Sequence, residues 1–288
     1  MTAKTPSQET DSRFASRIHT HLAPPGRWVG PGLRDLWRYR ELLFFLAWRD
    51  VKVRYKQTLL GAAWAVLQPF LTMVVFSIFF GQLAELPSDD LPYPLFTYAG
   101  LLPWQLFAYA LTESSNSLVN NQRLIAKVYF PRLVVPISAA LPGLVDFAIS
   151  FLVLLGMMLF YGTPLTARIL FLPFLILLTL VSALALGLWL AALNVQYRDV
   201  RYIIPFIVQL GFFLTPIAYS ASLVPASLQP LYALNPMVGV VTGFRWALLG
   251  SEAPAGMLIL VSTVVALLLL AGGLLFFRHM EDTFADLL

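Results

Sequence analysis

The chain has 288 residues, of which 59% are hydrophobic and only 12% charged. An average soluble domain carries about 25% charged residues, so this balance argues against a soluble enzyme and a disordered protein. With no cysteine, a disulfide scaffold, thiolate metal sites and cysteine nucleophiles are excluded together.

Taken in chain order, residues 1–32 are polar and proline-rich. They read as a flexible cytoplasmic lead without the apolar core of a signal peptide. Residues 33–56 form a predicted amphipathic interface helix. Trp37, Phe44, Trp48, Val51 and Tyr55 fall on one stripe, and Arg34, Arg38, Arg49, Lys52 and Lys56 on the next, with Arg54 close by. Aromatic rings beside basic groups suit a helix lying in the membrane interface. The plainer alternative is a helix that merely precedes the first span.

Residues 57–288 then read as a six-helix transmembrane domain. Crossing about 30 Å of hydrocarbon takes roughly 20 residues. The long runs with little or no charge place spans at about 59–82, 95–118, 133–160, 169–193, 202–220 and 254–277. Apolar residues come in blocks rather than alternating, which argues against a β-barrel. The fold class is therefore all-α and polytopic. The fifth uncharged run, Tyr202 to Phe244, would make a helix of roughly 64 Å, twice the needed length. Five prolines break it. One span to Ser220 is followed by short re-entrant helices, one starting at Asn235-Pro236 and ending at Gly250.

Seventeen of the 19 basic residues fall on the side that holds both termini. The positive-inside rule makes that side cytoplasmic. Orientation, not nucleic acid, then accounts for the basic pI. Two cytoplasmic connections carry recognisable chemistry. Residues 120–132, NNQRLIAKVYFPR, read either as a solvated connector or as a small helix whose Leu124, Ile125, Val128 and Tyr129 dock into a partner. In 194–202, Arg198 and Asp199 mark the membrane edge or pair with each other.

Three spans present uncharged polar and aromatic faces at helical spacing. These are Trp64, Gln68, Thr72, Phe79 and Gln82 on the first, Gln105, Tyr109, Thr112 and Asn116 on the second, and Tyr202, Phe206, Gln209 and Phe213 on the fifth. Such faces suit a polyhydroxylated substrate, or helix–helix contacts. They predict a pathway along spans one, two and five at a dimer interface, with spans three, four and six peripheral. Glu113 and Asp146 are the acids inside spans. A structural pair or anchor fits Asp146 better than a proton relay, because no second acid or histidine lies nearby in sequence. No phosphate-binding loop, metal-ligand cluster or catalytic motif is found, so neither a cofactor nor a metal is predicted on this chain.

The segments RDVKVRYKQTLLGAAWAVLQP (49–69), LIAKVYFPRLVVP (124–136), YRDVRYIIPFIVQLGFFLTPIAYS (197–220) and LNPM (234–237) resemble the permease subunits of bacterial polysaccharide-export ABC transporters. These are the O-antigen, capsule and teichoic-acid exporters of the ABC type-2 superfamily. The resemblance runs from about residue 33 to 288. It implies a permease rather than an enzyme, in the bacterial inner membrane. It also implies a second copy of the chain, two ATP-binding-cassette subunits carrying ATP and Mg, contact with membrane lipid, and a polysaccharide or lipid-linked glycan as cargo. Arg123, Leu124, Ile125, Lys127, Val128 and Tyr129, with Arg198 and Asp199, then match the ATPase-coupling elements. Trp37, Phe44, Trp48, Arg49, Lys52 and Arg54 match the interface helix. Pro225, Tyr232, Asn235 and Pro236 lie in the gate helices. A permease for another cargo, a lipid or a drug, and a membrane-embedded glycan-modifying enzyme are the alternatives.

Overall fold

The computed structural model describes residues 33–56, 61–225, 227–251, 256–281 and 284. The predicted lead 1–32 lies outside them. The regular elements among the described residues are all helical. They begin with α1 (Leu33–Arg38) and α2 (Arg40–Lys56), followed by α3 (Gly61–Phe76), which runs on as a wider turn over Ser77–Leu83. Next come α4 (Tyr93–Asn120), α5 (Gln122–Lys127), α6 (Val134–Ala140) and α7 (Gly143–Phe160). The last are α8 (Leu172–Gln196), α9 (Val200–Leu214), α10 (Gln229–Tyr232), α11 (Pro236–Leu249) and α12 (Gly256–Glu281).

Four helical stretches are long and apolar enough to cross a membrane: Ala63–Leu83, Val134–Phe160, Ala167–Gln196 and Gly256–Glu281. At 28 residues α4 is also long enough, about 42 Å, but its amides, hydroxyls and Glu113 make it more polar. It is nevertheless the centre of the body. Its face from Leu95 to Leu118 is buried against α6, α7, α8 and α11. The serines of that face, Ser114, Ser115 and Ser117, turn their hydroxyls back onto carbonyls of their own helix, so they enter the core satisfied. At the α4–α8 crossing a Cβ on Gly187 would overlap the Ser114 hydroxyl. Asn194 of α8 donates to the Ser115 carbonyl and to Asn116 Oδ1, both at 3.1 Å. On its other side α8 packs on α12 through Trp189, which stacks on Phe276 and donates to the Leu269 carbonyl.

Two predicted spans differ from the structure. The third is two helices, α6 and α7, with a break at Leu141-Pro142, because proline supplies no donor to the helical ladder. The fifth ends at Leu214 rather than Ser220. Thr215 precedes a proline, a position pushed out of the helical region, and it is extended at φ −107° and ψ 140°. At 15 residues α9 is about 22 Å long. The short helix after it starts as the sequence indicates. Asn235 Oδ1 accepts from the Met237 amide at 3.0 Å, Pro236 occupies the first turn, and Gly250 closes the helix at φ 72°. Eleven of the residues of α11 are buried, among them Val240, Phe244 and Leu248.

The interface helix is almost continuous, with a turn at Tyr39 between α1 and α2. Leu46 and Ala47 bury against α6, while Trp37, Phe44 and Trp48 are exposed. Phe44 stacks on Trp48, and the Lys52 ammonium lies 5.5 Å from the Trp48 ring. Tyr55 departs from the predicted stripe: it turns inward onto Asp146.

Candidate functional site

The polar faces of α3 and α4 converge on one cleft of about 290 Å³. Trp64 and Gln68 come from α3, and Gln105, Tyr109, Thr112 and Glu113 from α4. The third wall belongs to α7, through Gly143, Asp146, Phe147 and Ser150. This contribution corrects the reading of the third span as peripheral. Its Leu/Val-rich sequence hides a narrow stripe of Gly143, Asp146 and Ser150, three and four positions apart on one face of α7. Arg54, from the last turn of α2, completes the lining.

The charges in the cleft are arranged rather than free. Arg54 Nη2 lies 2.6 Å from Asp146 Oδ2, and the Tyr55 hydroxyl donates to Asp146 Oδ1. The Arg54 guanidinium sits 4.6 Å from the centre of the Tyr109 ring. Burial, then the Asp146 carboxylate, push the Tyr55 phenol above its usual range, so it remains a neutral donor. Asp146 is therefore the anchored pair that the sequence suggests. Its partners were hidden because they lie more than ninety positions away. The remaining surface offers amide groups, hydroxyls, the Trp64 ring and the Glu113 carboxylate. These are groups that exchange hydrogen bonds with hydroxyls and stack on C–H faces.

Not every residue of the predicted pathway reaches this cleft. Thr72 donates back to the Gln68 carbonyl at 2.9 Å. Phe79 and Gln82 are exposed on the wide turn beyond α3. Gln209 and Phe213 of α9 border a second, shallower groove with Trp104, Thr112, Pro205, Val208 and Phe212. Thr112 touches both hollows. Tyr202 and Phe206 face outward from α9.

The chain after α9 is tied down at each step. Arg245 of α11 is fully buried. It donates to the carbonyls of Phe96 (3.1 Å), Pro216 (2.6 Å) and Ile217 (2.7 Å), and stacks 3.4 Å from the Phe96 ring centre. Asn235 Nδ2 donates to Thr215 Oγ1 at 3.0 Å, and the hydroxyls of Tyr219 and Tyr232 share a 3.0 Å hydrogen bond. Pro225 is exposed. Arg245 was missed as a site residue. Its signal in the sequence was a lone arginine in a short apolar helix.

Residues 41–249 match the family model described as ABC-2 type transporter. The chain belongs to the ABC-2 type transporter family. Its relatives include the O-antigen export system permease protein RfbA of Myxococcus xanthus, 31% identical over 257 residues, which span 88% of this chain and 98% of that protein. A protein of the same name from Klebsiella pneumoniae is 28% identical over 206 residues, 71% of this chain and 79% of its own length. The polysialic acid transport protein KpsM of Escherichia coli is 24% identical over 251 residues, 84% and 93% of the two chains. This ABC-2 transporter chain is thus a multi-pass membrane permease and not an enzyme.

In this permease the short α5 and the residues after it form an exposed corner. Arg123, Lys127, Val128 and Tyr129 point outward, Tyr129 at 87% exposure. Ile125 corrects the predicted docking set: it is buried in the permease's own core with Leu46, Leu118 and Phe130, and Leu124 leans on the same cluster. On so short a helix, one side must hold α5 to the body, and these two apolar residues do so. Arg198 and Asp199 are both exposed ahead of α9.

Proposed function

We propose that this chain is the transmembrane subunit of an ATP-driven exporter that moves a lipid-linked polysaccharide, such as an O-antigen or capsule, across the bacterial inner membrane. Two copies form the conduit, and two ATPase subunits, which hold ATP and Mg, bind at α5 with Arg198 and Asp199 alongside. The observation that carries this reading is the cleft of α3, α4 and α7, where Gln68, Gln105, Trp64 and Tyr109 converge. Uncharged amides replace the water that a sugar must shed, and rings stack on successive sugars without gripping them. The names of the relatives support the same cargo class. The exposed rings of α3, the wide turn after it and α9, namely Trp64, Phe79, Phe206 and Phe213, support a second copy facing this side of the protomer.

Removing the amides tests the conduit. Each lost hydrogen bond is worth about 1 kcal/mol, so Gln68→Leu and Gln105→Leu are each expected to slow export about threefold to tenfold, with the ATPase still bound. Gln209→Leu and Phe213→Ala are expected to act in the same direction. Surface polysaccharide in cells carrying the Gln68→Leu/Gln105→Leu pair is the measurement, and wild-type export there would sink the conduit.

The orientation follows from the basic residues. Both termini are cytoplasmic, and Pro225, Tyr232, Asn235 and Pro236 belong to gate helices on the outer side. With no native cysteine, Ser227→Cys gives a clean label at an exposed position. An impermeant thiol reagent is expected to reach it from outside. Labelling from the cytoplasmic face alone would reverse the assignment.

A further inference from the structure

The interface helix α2 makes two polar ties to other helices. At residue 49 the Arg49 guanidinium donates to Asn121 Oδ1 at 3.1 Å while also pairing with Asp50 at 2.8 Å. Asn121 is the residue on which α4 ends and α5 begins. Five positions later, about 7.5 Å along the helix, Arg54 and Tyr55 take one carboxylate oxygen each of Asp146. Asp146 lies in the first turn of α7, just past the Leu141-Pro142 break. Both of its oxygens are directed, so the carboxylate is fixed in angle as well as position. Arg54 also lies on the Tyr109 ring of α4. The end of α2 therefore meets two walls of the cleft at one guanidinium.

Between these joints one apolar side of α2 packs on the body, with Leu42, Leu43 and Leu46 in the cluster that also holds Ile125 of α5. Leu46 and Ala47 rest on α6, and the opposite, aromatic side of the helix is exposed. The break at Leu141-Pro142 separates α7 from α6, and a break of this kind is where a helix can change direction.

We propose that α2 is a lever between two polar joints, Arg49–Asn121 at α5 and Arg54/Tyr55–Asp146 at the cleft, and that it sets the width of the cleft according to the position of α5. Arg54, Tyr55 and Asp146 are then positioning residues for transport. The proposal rests on the reading of α5 as the ATPase-facing element. It explains why an ion pair sits at the cleft end of an interface helix: a directed, two-oxygen joint transmits a displacement that apolar contacts would let slip.

The test uses the whole complex with its ATPase, in cells lacking the native copy of the permease. Surface polysaccharide reports export, and ATP hydrolysis by the purified complex reports the motor. Asp146→Asn and Tyr55→Phe are each expected to lower export relative to ATP hydrolysis by about tenfold, within the usual size of a coupling between two sites. The exchange Arg54→Asp with Asp146→Arg is expected to recover much of that loss. An anchor that only stabilises would lower the amount of complex while export per ATP stayed constant, and that result overturns the lever. So does failure of the exchange to restore export in a complex that assembles normally, because Asp146 would then act on cargo directly. If Asp146→Asn does not assemble, Tyr55→Phe, which keeps the ring and removes one hydrogen bond, decides alone. Failure of the underlying α5 reading is separately visible as ATPase binding that survives removal of the outward side chains of α5 and its following turn.

Discussion

Arg245→Leu is expected to be the most damaging single substitution in the body of the permease. The guanidinium supplies donors to three main-chain carbonyls, those of Phe96, Pro216 and Ile217. Those of Pro216 and Ile217 lie just past the end of α9, where no helical ladder serves them. Leucine fills part of the space and offers no donor. Each buried carbonyl left without a partner costs about 1–3 kcal/mol, a large share of a typical total of about 5–15 kcal/mol. The expected result is a fall in melting temperature on the order of 10 °C in detergent, from about 2–4 °C per kcal/mol for chains of this size class. Arg245→Lys keeps a charge but cannot reproduce the planar fork, and is expected to fall between the two. A leucine variant melting within a few degrees of the parent would show that the carbonyls find other donors.

The largest effect on transport is expected at the corner after α5. Val128 and Tyr129 are exposed, and Tyr129 is nearly bare, so neither contributes to the permease's own core. An exposed aromatic side chain beside Arg123 and Lys127 is the composition that anchors protein interfaces, where one residue commonly contributes about 2 kcal/mol or more. Val128→Ser with Tyr129→Ala is expected to lower ATPase association at least about thirtyfold, from that energy, and to abolish export. The permease itself should still reach the membrane at normal levels. Replacing the whole stretch 124–129 is a poorer experiment, because Ile125 and Leu124 hold α5 to the body. Co-purification of the ATPase with the double variant is the measurement. Undiminished recovery would remove α5 from the docking surface.

The reach of the sequence differs between elements for a physical reason. The start and stop of α11 were legible because their determinants are local: an asparagine that caps, a proline in the first turn and a glycine with positive φ. The long runs of little charge marked the spans for a similar reason, since hydrocarbon admits few other sequences. The end of α9 was readable in principle, from Thr215 standing before Pro216, but the apolar run masked it. The pairing of Asp146 with Arg54 and Tyr55 was not readable, because nothing local to Asp146 reveals which helix crosses it. The same holds for Arg245, whose acceptors lie twenty-eight and more positions away. Ile125 was misplaced because a six-residue helix is too short for periodicity to separate its inner side from its outer one.

The attachment of α3 has a consequence for how the molecule opens. Pro69 and Met73 are its buried side chains among the described residues, and its ties to the body are to α4 and α7, one of them the Ser150 hydroxyl bonded to the Ala65 carbonyl at 2.9 Å. The bundle of α4, α8, α11 and α12, by contrast, is closed on itself by buried residues on facing sides. Local opening free energies within one protein run from near zero up to the global value, following how much apolar contact each segment would lose. Within one protomer α3 therefore contributes less buried contact than the bundle does, and its outer side is left to lipid or to the second copy. The cleft lies where this lightly attached helix meets α4 and α7, so a displacement of α3 would change its width while the buried contacts of α4, α8, α11 and α12 stay in place.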